Sequence, residues 1–207
     1  MALLKKPHKE VALIFVEGDT EKEFYTKLAE SYLHGISKAI INLHGIYNVH
    51  RNVLGKTEAF LHQHSDVTVR IYCCIDRESR DYNPPLDIDD LRSTLKEQRD
   101  FSRVLSADAI IATQMIESWF FYDIEGVYKF LKVPRNLRSS TKFTPPEKFT
   151  HLDLSKLFAR FGKTYIKGRK CANFINNLDL GKIYGSCNEL TIGLNLMVER
   201  VQGAKAQ

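Results

Sequence analysis

The chain has 207 residues and a mass of 23.8 kDa, a size typical of one domain or of a small core with an extension. Its 43% hydrophobic and 27% charged residues are ordinary for a globular protein and exclude the disordered and fibrous classes. No window approaches the roughly 18 apolar residues of a spanning helix, and the basic N-terminus lacks the apolar core of a secretion signal. We therefore expect a cytoplasmic protein with no membrane partner.

The net charge of +5 is distributed unevenly along the chain. Twelve of the 30 Lys and Arg residues fall between Lys129 and Lys170, where only two acidic residues occur. The other acidic residues are concentrated in the first part of the chain. A basic part and an acidic part on one small protein are typical of a protein that binds a polyanion next to divalent cations.

The first part of the chain alternates between strand and helix patterns. Six apolar residues without alternation predict a strand buried on both faces at residues 11–16. Thr20 followed by Glu23 is a capping-box pattern and predicts a helix after a tight turn. The pattern then predicts strands at residues 39–43, 67–75 and 107–112, and helices at residues 56–64, 87–99 and 114–131.

This alternation predicts an α/β fold with a mainly parallel sheet of four strands flanked by helices. After residue 131 the chain is basic and interrupted by Ser, Thr and Pro, and helical patterns return at residues 154–161, 169–178 and 188–201. We therefore divide the chain into a core of residues 8–131 and a basic, mostly helical extension of residues 132–207 that packs on the core.

Acidic residues follow three of the four predicted strands. Glu17 follows the first strand, Asp76 and Glu78 follow the third, and Glu117 comes shortly after the fourth. Functional groups of parallel α/β sheets collect beyond the carboxyl ends of the strands, and carboxylate oxygens are the ligands that Mg²⁺ prefers. Taken one at a time, each acid is equally well explained as a solvated loop end or a helix cap.

Two of these segments resemble a known family. Val16-Glu17-Gly18-Asp19-Thr20-Glu21 directly after an apolar strand, followed by Cys74-Ile75-Asp76-Arg77-Glu78, resembles the Toprim domain of OLD-family nucleases and of small standalone bacterial Toprim proteins. The resemblance covers residues 11–131. It implies a Rossmann-like catalytic core that binds divalent metal through the carboxylates of Glu17, Glu21, Asp76 and Glu78. Glu78 departs from the family pattern, which usually has Asp at this position.

A third segment, Gln114-Met115-Ile116-Glu117-Ser118-Trp119, resembles the I-E-x-W segment of the standalone Toprim families and adds Glu117 to the metal ligands. The resemblance thus implies a nuclease of DNA or RNA that depends on Mg²⁺ or Mn²⁺, in the setting of bacterial antiphage defence. The implied catalytic residues are Glu17, Asp76, Glu78 and Lys167. An ATPase partner protein and a homodimer are further expectations by analogy. The alternative is a Toprim-fold module that binds nucleic acid or protein without catalysis.

The basic segment supplies the expected contacts with nucleic acid. Lysine and arginine side chains attract phosphates in a salt-dependent manner, and the interleaved aromatic residues could either stack on bases or belong to the core. The segment Tyr165–Lys170 resembles the lysine-bearing end of OLD-like Toprim domains, in which either Lys167 or Lys170 could stabilise phosphate charge. The nucleic-acid-binding residues that we predict are Arg135, Arg138, Lys142, Lys163, Lys167, Arg169 and Lys170.

Other sites are not supported by the sequence. His62 and His64 lie two residues apart, which places them on different faces of a helix, and His44 and His50 lack neighbouring ligands, so we do not predict a zinc or HNH site. The four cysteines have no CxxC spacing and are predicted to be buried thiols. No phosphate-binding GxxxxGK[ST] loop and no GxGxxG follows a strand, which argues against ATP hydrolysis and NAD binding by this chain.

Overall fold

A computed structural model describes residues 9–78, 81–139 and 141–203, without the side chains of residues 169 and 200–203. Its centre is one sheet of four parallel strands in the order β2-β1-β3-β4. The α/β fold with a parallel, Rossmann-like sheet that the sequence predicted is therefore confirmed. The strands are β1 (Lys9–Val16), β2 (Ser37–Asn42), β3 (Val67–Asp76) and β4 (Val104–Ala112).

The unbroken apolar run of β1 follows from its central position in the sheet. Ala12, Ile14 and Val16 belong to one hydrophobic cluster, whereas the alternate residues Leu13 and Phe15 belong to a second cluster. Both faces of the strand are therefore covered, which is why apolar residues occupy every position instead of every second one.

Helices cover both faces of the sheet. The second helix and the third pack on the face that carries Leu13 and Phe15, and the first helix and the later ones pack on the opposite face. The helices in chain order are α1 (Asp19–Tyr32), α2 (Val49–Gln63), α3 (Ile88–Glu97), α4 (Ile116–Phe120), α5 (Ile124–Phe130), α6 (His151–Arg160), α7 (Ala172–Asn176), α8 (Leu180–Ser186) and α9 (Asn188–Gly203).

Two details of the helices predicted up to residue 131 are wrong. The helix expected at residues 114–131 is divided into α4, a 3-10 turn and α5, because the Asp123 carboxylate accepts a hydrogen bond from the Gly126 N–H and so caps a new helix. The capping box predicted at Thr20 is absent from α1, which begins at Asp19 after Gly18. The Thr20 hydroxyl accepts a hydrogen bond from the Gly168 N–H instead.

The helices that follow residue 132 pack against the first part of the chain. Leu154, Phe158 and Phe174 belong to the same hydrophobic cluster as Ile14 and Phe24. The division of the chain at residue 131 stays a prediction. Helix α8 was not predicted, and the helix expected at residues 169–178 consists of a 3-10 turn (Gly168–Cys171) followed by α7.

The aromatic residues of the basic segment pack in or against the hydrophobic core. Phe143, Phe158 and Tyr165 are buried, and Phe130, Phe149 and Phe161 are partly buried against the same cluster. The Phe158 ring contacts those of Phe130 and Tyr165, and the Phe143 ring contacts that of Phe149, so these rings are not available to stack on bases. The four cysteines are buried and unbonded, as predicted. Within the described ranges, no helix combines the length and the hydrophobicity needed to cross a membrane.

Candidate active site

The sheet brings the carboxyl ends of β1 and β3 together. The two strands are parallel neighbours in which Val16 is paired with Cys74, so Glu17 and Asp76 follow at the same edge of the sheet. The Glu17 carboxylate accepts a hydrogen bond from the backbone N–H of Asp76. The Asp76 carboxylate in turn accepts one from the Ile116 N–H at 3.1 Å, which connects the start of α4 to the same edge.

Glu21 joins this edge from the first turn of α1. Its carboxylate accepts hydrogen bonds from its own backbone N–H and from that of Gly18. A Cβ atom on residue 18 would lie 2.9 Å from Glu21 Oε2, closer than real Cβ atoms approach. Glycine is therefore required at position 18 if the Glu21 carboxylate is to keep this position.

Glu117 is the most deeply buried of the acids, with a side chain that has no solvent exposure. Its Oε1 atom accepts a hydrogen bond from the Tyr165 hydroxyl at 3.1 Å and lies 3.2 Å from Lys167 Nζ. Tyr165 was not predicted as a site residue. The sequence offered no signal for it beyond its position two residues before Lys167.

Burial and mutual repulsion raise the pKa values of Glu17, Glu21 and Asp76 and so shift them toward the protonated form. Burial, followed by the charges of Glu21 and Glu78, raises the pKa of Glu17 to about 7. Burial and the charge of Glu117 raise the pKa of Glu21, and burial together with Glu21, Glu17 and Glu117 raises the pKa of Asp76 well above its ordinary value. These carboxyl groups are thus close enough to repel one another.

Lys167 provides positive charge at this group. Burial alone would lower the pKa of Lys167, but the charge and hydrogen bond of Glu117, with the charges of Glu21 and Asp76, raise it above the ordinary value. The lysine side chain is half exposed, so its ammonium group reaches from the buried Glu117 toward solvent. Of the two lysines left open by the sequence, Lys167 is the one at the acids, whereas Lys170 lines a different cavity.

The donor chemistry of the group fits a divalent cation. Glu17 Oε2 and Glu117 Oε2 are buried oxygens without a hydrogen-bond partner, and carboxylate oxygens are the ligands that a hard divalent cation prefers. As the side chains stand, however, the described part of the chain contains no three His, Cys, Asp or Glu residues placed closely enough to hold an ion. Binding would therefore require the carboxylates to move closer together, against the repulsion that their pKa values show.

Glu78 lies at the rim of the group. Its side chain is exposed, its φ angle is 71°, and its backbone N–H donates to the Gln114 carbonyl at 2.7 Å. Its charge nevertheless raises the pKa of Glu17. Glu78 is therefore near the buried acids, but it contributes to them mainly by charge.

A cavity of about 500 Å³ adjoins the acids. Its lining includes Glu17, Glu21, Lys167, Asn42 and His44. A larger cavity of about 770 Å³ lies between α3 and the beginning of β4, and none of the acids described above lines it. Only the first of the two cavities combines carboxylates, a lysine and a histidine, so we take it as the space next to the candidate site.

The predicted nucleic-acid-binding residues fall into three groups. Lys167 lies at the acids. Two others hold the fold together: Lys163 donates to the Phe130 carbonyl at 2.8 Å, and Arg138 donates to the Val133 carbonyl and pairs with Glu125. The exposed members are Arg135, Lys142 and Lys170. The Arg169 side chain lies outside the described part of the chain.

A family model described as a domain of unknown function, DUF4276, matches residues 16–192, and the chain therefore belongs to this family. The matched region extends from the end of β1 into α9, so it contains all of the acids and lysines of the candidate site. Comparison with curated proteins and comparison with solved structures gave no match.

Proposed function

We propose that this member of the DUF4276 family is a phosphodiesterase that depends on Mg²⁺ or Mn²⁺ and cleaves DNA or RNA. One observation carries the proposal: four carboxyl groups from β3, α1, α4 and the end of β1 come together with a lysine at the carboxyl edge of a parallel sheet. Burying so many acids together is unfavourable. A divalent cation would offset that cost.

The residues that would hold the metal are Glu17, Glu21, Asp76 and Glu117. When bound, a divalent cation polarises a phosphodiester and makes a nearby water molecule a stronger nucleophile at neutral pH. Glu78, which is exposed at the rim, would add negative charge and attract the cation, so its proposed catalytic role is an electrostatic one.

The residues around the acids would prepare the site for hydrolysis. Tyr165 and Lys167 both contact Oε1 of Glu117 and so fix its orientation, which leaves Oε2 without a hydrogen-bond partner and free to bind a cation. The half-exposed ammonium group of Lys167 would offset the negative charge that develops on the phosphate during attack by water. Hydrolysis breaks one P–O bond and leaves a phosphate monoester and a hydroxyl group.

The exposed Arg135, Lys142 and Lys170 would attract the nucleic-acid backbone without reading its sequence. Roles in antiphage defence, an ATPase partner protein and a homodimer belong to this proposal as expectations from the Toprim resemblance.

The proposal is tested by cleavage of plasmid DNA and of structured RNA with Mg²⁺ or Mn²⁺. The variants Glu17→Gln and Asp76→Asn keep the shape of each side chain and remove its charge, so we expect rates to fall by at least about a hundredfold. Glu30→Gln, an exposed position on α1, is the matched control and should leave the rate unchanged. Metal-dependent cleavage that persists in both site variants would refute the assignment.

A non-catalytic binding module is the second candidate function. The exposed position of Glu78 and the lack of a closed ligand group among the described residues favour it. This module would bind nucleic acid or protein in a salt-dependent manner, without turnover, and binding would survive both substitutions.

A further inference from the structure

The loop that follows β2 borders the candidate site. The Leu43 N–H donates to the Val16 carbonyl and the Gly45 N–H donates to the Glu17 carbonyl, both at 2.8 Å. These bonds fix the loop against the same strand end that carries Glu17. Any side chain that the loop directs into the adjoining cavity therefore has a defined position relative to the acids.

His44, between those two anchors, has a conformation that is rare for a residue with a side chain. Its φ angle is 61°, in the left-handed region that favours glycine. Its N–H donates to Asn42 Oδ1 at 2.7 Å, and Asn42 Nδ2 donates to Asp19 Oδ1 at 2.7 Å. The surrounding hydrogen bonds thus hold His44 in an unfavourable conformation, which is a feature that concentrates at functional sites.

The packing of the fold does not explain the imidazole of His44. The side chain is exposed, it lines the cavity together with Glu17 and Lys167, and it has no hydrogen bond or ion pair with the described residues. Glycine at this position would remove the backbone strain. A histidine in a strained conformation beside acids and a lysine indicates a role in binding a ligand.

We propose that His44 binds the substrate by donating an imidazole N–H to a phosphate oxygen of a nucleic-acid strand in this cavity. The inference rests on the proposed function and adds to it a substrate contact on the side of β2. An imidazole carries at least one N–H in every protonation state, so the contact does not require a charged histidine. Lys167 would provide a second donor to the same strand.

The test measures binding separately from cleavage. A fluorescein-labelled single-stranded oligonucleotide, as DNA and as RNA, is titrated with the full chain in Ca²⁺, and cleavage is measured in Mg²⁺ or Mn²⁺. His44→Gly removes the imidazole and keeps the backbone conformation, because glycine adopts positive φ without strain. His44→Asn also tolerates this conformation and restores a donor. The control is His34→Ala, because His34 is exposed and follows the C-terminal end of α1, at the opposite end of that helix from the acids.

We expect His44→Gly to weaken binding about tenfold, His44→Asn to recover part of the loss, and His34→Ala to bind like the parent. If the parent binds and His44→Gly binds equally well, the inference is overturned while the proposed function stands. If the parent neither binds nor cleaves either oligonucleotide, the proposed function fails and the inference fails with it.

Discussion

The backbone N–H of Asp76 donates a hydrogen bond to the carboxylate of Glu17. The two residues belong to separate sequence motifs, and they meet because β1 and β3 are neighbouring parallel strands that end at the same edge. One hydrogen bond does not neutralise the repulsion among the acids, since the pKa of Glu17 is still raised to about 7. The packing of the fold therefore holds these carboxyl groups together although they repel one another.

The first prediction is that the metal-free protein loses stability as the pH rises. Glu17 has a pKa of about 7 in the folded chain and 4.5 as its ordinary value, so the folded state binds the proton more tightly. Below about pH 4.5 the Glu17 carboxyl is protonated in both states and does not lower the free energy of unfolding. As the pH rises from there to about 7, its ionisation lowers that free energy progressively. The raised pKa values of Glu21 and Asp76 act in the same direction.

Urea unfolding in EDTA, followed from about pH 5 to about pH 8, measures this effect. Glu17→Gln should flatten the decline, and Mn²⁺ added near the upper end should recover stability in the parent more than in the variant. Equal pH dependence in the parent and in Glu17→Gln would contradict the prediction.

The site residues that could be predicted from the sequence are those whose positions follow from the strand pattern. Glu17, Asp76 and Glu117 were predictable because apolar runs reveal where strands end, and parallel strands end at one edge. Tyr165 was not, because its contact with Glu117 depends on how residues beyond 132 pack on the core. The same packing engages Thr20 with Gly168, which is why its local capping pattern was misleading.

The second prediction concerns Tyr165, whose hydroxyl contacts the buried Glu117. Tyr165→Phe removes that donor and leaves the carboxylate less well satisfied, so we expect a loss of about 1–3 kcal/mol in the free energy of unfolding at neutral pH. Urea denaturation measures the change. Tyr82→Phe, at a side chain that is 65% exposed, is the control and should change stability by less than about 0.5 kcal/mol. If Tyr165→Phe leaves the free energy of unfolding unchanged, the hydroxyl does not support Glu117.

The third prediction uses two glycines with opposite surroundings. In Gly18→Ala the new Cβ would displace the Glu21 carboxylate, because the two would lie 2.9 Å apart. We expect weaker binding of Mn²⁺, measured by calorimetry. A Cβ atom added at Gly55, in the middle of α2, would meet open space. Gly55→Ala should therefore stabilise the fold by about 0.5–1 kcal/mol without changing the affinity for Mn²⁺. Unchanged Mn²⁺ affinity in Gly18→Ala would mean that Glu21 is not a ligand.

The last prediction separates the support that Lys167 gives to Glu117 from its action on substrate. Lys167→Met should lower the free energy of unfolding by about 1–2 kcal/mol. This is less than the effect of breaking a fully buried ion pair, because the lysine is half exposed. In a Glu117→Gln background the same change should cost little, since no buried charge is left without a partner. Lys170→Met, at an exposed position, is the control for stability.

Cleavage provides the second measurement on the same variants. If Lys167 also offsets charge on the phosphate, Lys167→Met should lower kcat more than it raises KM, because the developing charge is largest in the transition state. A stability cost of equal size in both backgrounds would show that the ion pair with Glu117 does not account for it. A Lys167→Met variant with unchanged kcat would restrict the lysine to the structural role.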